Sequence, residues 1–357
     1  MSIDIIRAEI QALSSYHVQN AAGLIKLDAM ENPFAFPDSL RIGLADALAS
    51  ASLNRYPPAG GEELKNALRS AMRIPDGLDI LLGNGSDEII QLIAMAVAKP
   101  GASLLSVEPA FVMFKMIATF CGLKYTGVPL RADFTLDQPA LLTAIDREKP
   151  AVTFIAYPNN PTGNLFDRAS IREIIAAAAK FGGLVVIDEA YFAFSKESFL
   201  DEIASHPNAV LMRTISKLGL AGIRLGMLIG RRDWLSQFDK LRLPYNINVL
   251  TQAAAIFAMR HYEELLKQTE ILKAERTRVA AALDKIDGIQ RFPSEANFIL
   301  IRVVSAAQTF ERLLSRKILI KNMSASHPLM TNTLRLTIGT PAENDALISA
   351  LHPSLPS

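Results

Sequence analysis

The sequence predicts an α/β protein: a large domain with a mostly parallel sheet flanked by helices, plus a smaller α+β domain. Three observations predict it. At 357 residues the chain is too long for one compact core. Its middle alternates short apolar, β-branched runs with helix-like segments. Each polar cluster of chemical interest follows directly on one of those runs.

The strand-like runs are DILL (79–82), SLLSV (103–107), AVTFIA (151–156), GLVVID (183–188), AVLMRT (209–214) and GMLIG (226–230). Helical patterns cover 87–98, 111–120, 168–181 and 232–241. Continuous apolar strands joined by helices read as a largely parallel sheet covered on both faces. From residue 249 the pattern becomes one long helix through 281, then strand-like NFILIRV (297–303) and a second strand around TLRLTI (333–338). The expected division is an N-terminal arm (1–29), a large domain (30–246) and a small C-terminal domain (247–357). The arm is expected to pack with the small domain or with a second subunit.

Composition narrows the partners. The longest uncharged apolar stretches, such as 89–98, run ten residues, against the roughly 20 that a membrane span needs. Asp4, Arg7 and Glu9 interrupt the first apolar stretch, where a secretory segment would be unbroken, so the cytoplasm is expected. Cys121 is the single cysteine, which excludes internal disulfides and fits a reducing compartment. The formal charge is +1 and no Lys/Arg run resembles a nucleic-acid footprint. A small molecule is the expected partner, not nucleic acid or a membrane. His206, His261 and His327 lack metal-ligand spacing and no HExxH or CxxC occurs, so no metal is expected.

Three clusters carry chemistry. Asp188 ends the run LVVI, which sets its carboxylate at the mouth of the sheet, where open α/β sheets hold ligands. A lone aspartate there is ordinarily a cap or an ion-pair partner. Tyr191 three residues on, and Asn160 in a Pro-bounded turn, shift the balance: a carboxylate under a pyridine nitrogen keeps it protonated, and a phenol and an amide suit a ring oxygen. Lys217 sits in RTISKLGLAGIR, after Thr214 and Ser216 and before Gly219, Gly222 and Arg224. Hydroxyls and arginine suit a phosphate, and a lysine beside a phosphate pocket can form an imine with an aldehyde cofactor. The order GxxxxGK[ST] is absent, which sets nucleoside triphosphates aside. In Gly83-Asn84-Gly85-Ser86-Asp87-Glu88, a glycine turn opening an apolar helix makes an anion site of its N–H groups, with Ser86 expected as the cap.

With these residues in place, the set LDAMENPFAFP (27–37), RYPPAG (55–60), GNGSDE (83–88), YPNNPTG (157–163), DEAYFAF (188–194), RTISKLGLAGIR (213–224), PYNIN (244–248), PSEANFIL (293–300) and LRLTIGTPAEN (334–344) resembles the fold-type-I, pyridoxal-5′-phosphate-dependent aminotransferases, in their histidinol-phosphate branch. The match runs in order over 24–344. The resemblance implies the fold-type-I architecture and transamination of L-histidinol phosphate with 2-oxoglutarate in a homodimer with shared sites. It also implies roles. Lys217 is the Schiff-base lysine and proton shuttle, and Asp188 pairs with the pyridine nitrogen. Asn160 and Tyr191 contact the ring oxygen, and Phe111 stacks on the ring. Ser86, Asp87, Thr214, Ser216 and Arg224 surround the cofactor phosphate, with Tyr56 arriving from the second subunit. Tyr16, Asn84, Arg335 and Lys321 contact substrate.

Three positions depart from the branch's usual pattern. Phe111 stands where tyrosine is common, Lys321 where a second arginine is common, and the loop from Lys217 to Arg224 is one residue short. Three other readings share the scaffold: a broad aromatic aminotransferase, a threonine-phosphate decarboxylase, and a cofactor-sensing regulator. The last would need a DNA-binding domain, and no helix-turn-helix pattern precedes Leu27.

Overall fold

A computed structural model describes residues 5–15 and 19–352. In chain order its strands are β1 (Ile25–Leu27), β2 (Asp79–Gly83), β3 (Ser103–Glu108), β4 (Lys124–Pro129), β5 (Val152–Ala156), β6 (Leu184–Asp188), β7 (Ala209–Thr214), β8 (Gly226–Gly230), β9 (Ile289–Arg291), β10 (Phe298–Val303), β11 (Ile318–Asn322) and β12 (Thr333–Thr337). Seven form one sheet in the order β2-β8-β7-β6-β5-β3-β4, and five form a second in the order β1-β11-β12-β10-β9.

In the seven-stranded sheet β5, β6, β7 and β8 are buried along their whole length, as the unbroken apolar runs require. The sheet is parallel except at β8, which runs antiparallel to both β7 and β2. Two short 3₁₀ turns, Ser216–Leu218 and Ala221–Ile223, connect β7 to β8 without a crossover helix, and such a connection reverses the chain. The result decides where chemistry happens. β2, β3, β5, β6 and β7 all end at one edge, and β8 begins there, with Gly226 in register with both Gly83 and Thr214.

The helix Ser86–Val97 fixes the loop after β2. It buries Ile89, Ile90, Leu92 and Ile93, each worth roughly 1.5–3 kcal/mol against leaving it in water. Gly85, with φ 81°, takes the cap position expected of Ser86. The turn out of β2 needs a positive φ there, which glycine supplies without strain, and Ser86 becomes the first helical residue.

Two sequence expectations need correction. The long helix expected over 249–281 is two helices, Val249–Arg260 and Tyr262–Leu283, broken at His261. The first packs on the helices Arg41–Ala49 and Glu62–Met72; the second packs on β9, β10 and the helix Pro341–Leu351. One straight rod could not reach both. The strands β1, β4, β9 and β11 were not expected. β1 and β9 are only three residues long, and β4 is a part-exposed edge strand without an unbroken apolar run. β1 pairs parallel with β11, which joins the segment before Asp28 to the smaller sheet. Among the described residues no helix is long and apolar enough to cross a membrane.

Candidate active site

Five loops meet at the carboxyl edge of the seven-stranded sheet and enclose a cavity. Its lining includes Met30, Ser86, Asp87, Phe111, Asn160, Asp188, Tyr191, Thr214, Ser216, Lys217 and Arg224. Ten residues assigned to the cofactor site or to catalysis therefore converge, although they are spread over 139 positions of sequence from Ser86 to Arg224 (224 − 86 + 1).

Asp188 is the last residue of β6 and is 5% exposed. Its Oδ1 accepts from the Ala190 N–H at 3.0 Å. Burial pushes its carboxyl up to about 7; the Ala190 N–H opposes this, the negative charges of Asp87 and Glu189 add to it, and Lys217 opposes it. A desolvated carboxyl at the floor of a cavity favours any ligand that brings a cation or N–H donor to it. Glu189 points the other way and anchors the strand end. It is fully buried, accepts from Arg213 Nη2 at 2.8 Å and Nε at 3.0 Å, and accepts from the Phe199 N–H at 2.6 Å. Removing one partner of so buried a pair costs about 3–5 kcal/mol.

Lys217 lies in the 3₁₀ turn after β7, and its Nζ donates to the Ala29 carbonyl at 3.4 Å. Burial, helped by the guanidinium groups of Arg335 and Arg224 and opposed by Glu31 and Asp87, lowers its ammonium to about 8. Near neutral pH its neutral, nucleophilic form is far more populated than that of an ordinary exposed lysine. Nζ also lies 5.9 Å from the centroid of the Tyr191 ring. The Tyr191 hydroxyl donates to the Met30 sulfur at 3.3 Å, and its ring meets Phe298 edge-on.

One end of the cavity is an anion cradle. Ser86 opens the helix Ser86–Val97, so unpaired N–H groups and the helix dipole face inward. The Thr214 and Ser216 hydroxyls are 2.9 Å apart, and Thr214 Oγ1 donates to the Leu225 carbonyl at 2.9 Å. Arg224 reaches in with Nη2 3.6 Å from Asp87 Oδ2, so the shortened lysine loop still delivers it, on a backbone with φ 52°. The cradle depends on absent side chains. A Cβ on Gly226 would lie 2.6–2.8 Å from the backbone of Gly85 and Ser86, and one on Gly85 would lie 2.7 Å from Arg224 Nη2. A phosphate-bearing pyridine aldehyde fits this set: an anion cradle, a buried carboxyl for the ring nitrogen, an amide and a phenol for the ring oxygen, and a lysine with a lowered ammonium.

A second cavity opens from the first past Met30, Phe111 and Asn160. Arg335 and Lys321 line it, with Glu108, Lys115, Tyr125, Ser326 and His327. Arg335 and Lys321 are direct partners across β12 and β11, so both side chains leave the sheet on one face. Arg335 Nη2 also donates to the Asp28 carbonyl at 3.0 Å.

Three assigned residues are elsewhere. Asn84 is exposed and lines neither cavity; its backbone N–H donates to Glu88 Oε2 at 2.6 Å. Tyr56 is 80% exposed and stacks on Tyr245 with ring centroids 4.5 Å apart. Tyr16 lies outside the described residues. Sequence reasoning gave no role to Met30, Ala29, Glu108, Lys115, Tyr125 or His327. Met30 and Ala29 stand inside the quoted LDAMENP element and Glu108 heads EPAF, so their segments were in view but not their contacts. The strand β4, which carries Tyr125, had no signal at all.

The sequence pattern of the family described as Aminotransferase class I and II matches residues 22–351. Histidinol-phosphate aminotransferase 2 of Cupriavidus pinatubonensis is 52% identical over 353 residues, 98% of this chain and 96% of that protein. The histidinol-phosphate aminotransferase of Chromobacterium violaceum is 53% identical over 347 residues, 97% of each chain. In fold, the chain resembles the histidinol-phosphate aminotransferase of Sinorhizobium meliloti, solved in complex with pyridoxal-5′-phosphate. The TM-score is 0.85 at 24% identity, covering 98% of this chain and 97% of that one. It also resembles L-threonine-O-3-phosphate decarboxylase of Porphyromonas gingivalis, with a TM-score of 0.76 at 22% identity over 92% of this chain and 98% of that one.

Proposed function

The chain belongs to the class I and II aminotransferases, among the histidinol-phosphate aminotransferases, and from that premise we propose that it transfers the amino group of L-histidinol phosphate to 2-oxoglutarate. The products are imidazole-acetol phosphate and L-glutamate, a step of histidine biosynthesis, with pyridoxal 5′-phosphate as cofactor. The single observation that carries the reading is Lys217, a lysine with an ammonium lowered to about 8, in a cavity shared with the buried Asp188.

When bound, pyridoxal 5′-phosphate supplies an aldehyde carbon for amines and a ring that takes up electron density. Ser86, Thr214, Ser216 and Arg224 hold its phosphate, and Asp188 holds a proton on its ring nitrogen. Asn160 and Tyr191 orient the ring through its oxygen, and Phe111 covers one face. Lys217 Nζ removes the proton from the substrate's α-carbon and later returns it one position along, general-base work worth about 10² to 10⁴ in rate. Arg335 and Lys321 bind the substrate's anionic group. We place the enzyme in the cytoplasm as a homodimer, with Tyr56 and the N-terminal arm, Tyr16 included, serving the neighbouring subunit's site. The exposed Tyr56 supports this, since it lines neither cavity of its own chain.

The test is a half-reaction titration of the cofactor-loaded protein. L-Histidinol phosphate, L-phenylalanine and threonine phosphate are added separately while the cofactor's visible absorbance is followed. Fast conversion with histidinol phosphate alone supports the proposal. Equal conversion with phenylalanine would make it a broad aromatic aminotransferase, and CO₂ release from threonine phosphate would make it a decarboxylase. Lys217→Ala should keep the fold and lose turnover.

A further inference from the structure

The second cavity is lined by cations and by one carboxylate, and that carboxylate has no role in the reaction as described. Arg335 and Lys321, partners across β12 and β11, supply cations to its lining. Glu108, which ends β3, lines the same cavity with Lys115 and Tyr125. The Glu108 carboxylate lies over Gly127: a Cβ there would be 2.3 Å from its carboxyl carbon and 2.5 Å from Oε2. The adjoining strand therefore leaves room for this side chain. Tyr125, on that same strand, lines the cavity as well, and burial with the Glu108 charge raises its phenol well above the usual range. It stays protonated and can donate. Lys115 Nζ is 3.8 Å from Glu108 Oε1 and is mostly exposed, a contact that neutralises little.

Resting on the substrate reading above, we propose that Glu108 is a specificity-determining residue whose carboxylate accepts the N–H of the substrate's imidazole ring. A phosphorylated amino alcohol lying across the mouth of the first cavity offers a phosphate to Arg335 and Lys321 and leaves its ring to the rest of the lining, which includes Glu108. An imidazole ring carries an N–H that needs an acceptor once water leaves; a phenyl ring carries none. A site built to hydrogen-bond its substrate rejects the analogue lacking that group, because its own polar atom is then left unpaired.

The experiment compares two donors on the holoenzyme: L-histidinol phosphate and the phosphate ester of L-phenylalaninol, which keeps the amine and the phosphate but has a phenyl ring. In Glu108→Ala, kcat/KM for histidinol phosphate is expected to fall roughly tenfold or more, the scale of a lost charge-assisted hydrogen bond, chiefly through KM. The value for the phenyl donor should hold or rise. Glu108→Gln, which keeps an acceptor, should recover part of the loss. Gly127→Ala leaves Glu108 in the chain but displaces its carboxylate, and should reproduce the selective loss. Calorimetric binding of histidinol phosphate to Lys217→Ala, with and without Glu108→Ala, should show the same weakening without turnover. Cofactor loading checks that each variant folds. If wild-type enzyme turns over neither donor, the substrate reading falls. If it turns over histidinol phosphate while Glu108→Ala lowers both donors alike, or neither, the Glu108 assignment alone is overturned.

Discussion

Arg335 Nη1 donates to Asn160 Oδ1 at 2.7 Å, and both side chains are buried. The bond ties β12 of the smaller sheet to the loop after β5 of the larger one, and it joins a residue assigned to the substrate anion to one assigned to the cofactor ring. The two should therefore not act independently. Arg335→Ala should raise KM for histidinol phosphate and also weaken cofactor retention, because Asn160 loses the donor that orients its amide. Asn160→Ala should weaken cofactor binding and disturb KM. A double-mutant cycle on cofactor dissociation should return a coupling of about 0.5–3 kcal/mol. A coupling of zero would mean that the bond orients neither partner.

Asp188 gives a pH signature in the cofactor-free protein. Its carboxyl rises from 3.8 to about 7 on folding, with burial the main cause. A raised carboxyl binds more protons folded than unfolded, so its contribution to stability is lost as pH climbs through that window. At pH 8 the folded apo-protein holds a buried charge at a cost on the order of a few kcal/mol. Asp188→Asn removes that charge and should melt higher than wild-type apo-protein at pH 8, with the gap narrowing towards pH 5. Adding pyridoxal 5′-phosphate should reverse the order, since the wild-type carboxylate gains a ring N–H that the amide cannot hold as a cation. Thermal melts of both proteins, with and without cofactor, check this.

Much of this site was legible because its residues sit where strands end. The runs before Asn84, Glu108, Asp188 and Lys217 are short and mostly apolar, so their ends could be placed within a residue or so, and the polar clusters beyond them fell on one edge. What escaped depends on three dimensions. The reversal at β8 has no sequence mark beyond a glycine-rich connection. The break at His261 arises from packing on two different surfaces, while both helices keep helical composition. Tyr125 lies on an edge strand whose alternation is weak, so nothing in KYTGVP announced that it would face Glu108. Met30 adopts φ 54°, a backbone that methionine rarely takes, and only the fold reveals that its sulfur meets Tyr191.

Gly226 separates packing from chemistry. It touches no ligand in any role assigned above, yet a Cβ there would press on the backbone of Gly85 and Ser86 at 2.6–2.8 Å. Backbone cannot swing aside as a long side chain does, so Gly226→Ala should push the helix N-terminus out of place. The expected result is a rise in the cofactor dissociation constant of tenfold or more, since a displaced cradle loses a charge-assisted hydrogen bond of about 1.5–3 kcal/mol. Cofactor titration by absorbance reads it. The rate of the saturated variant should change much less, because the added Cβ presses on Gly85 and Ser86 and not on Asp188, which ends β6, or on Lys217, in the turn after β7.

Tyr56 tests whether the sites are shared. It is exposed, it stacks on Tyr245, and Leu53 and Leu243 nearby in sequence are each 72% exposed. If its hydroxyl reaches the cofactor phosphate of a neighbouring subunit, the defect of Tyr56→Phe belongs to that neighbour. Mixed dimers of Tyr56→Phe with Lys217→Ala give the reading. In each such dimer one site combines the Lys217→Ala chain with the Tyr56→Phe contact and carries both defects, while the other combines an intact Lys217 with an intact Tyr56. That second site should regain close to half of wild-type turnover per dimer, with wild-type cofactor affinity. If each defect stayed within its own chain, the active site of the mixed dimer would keep the weakened cofactor binding of Tyr56→Phe. Cofactor titration of the isolated heterodimer therefore distinguishes a shared site from two separate ones.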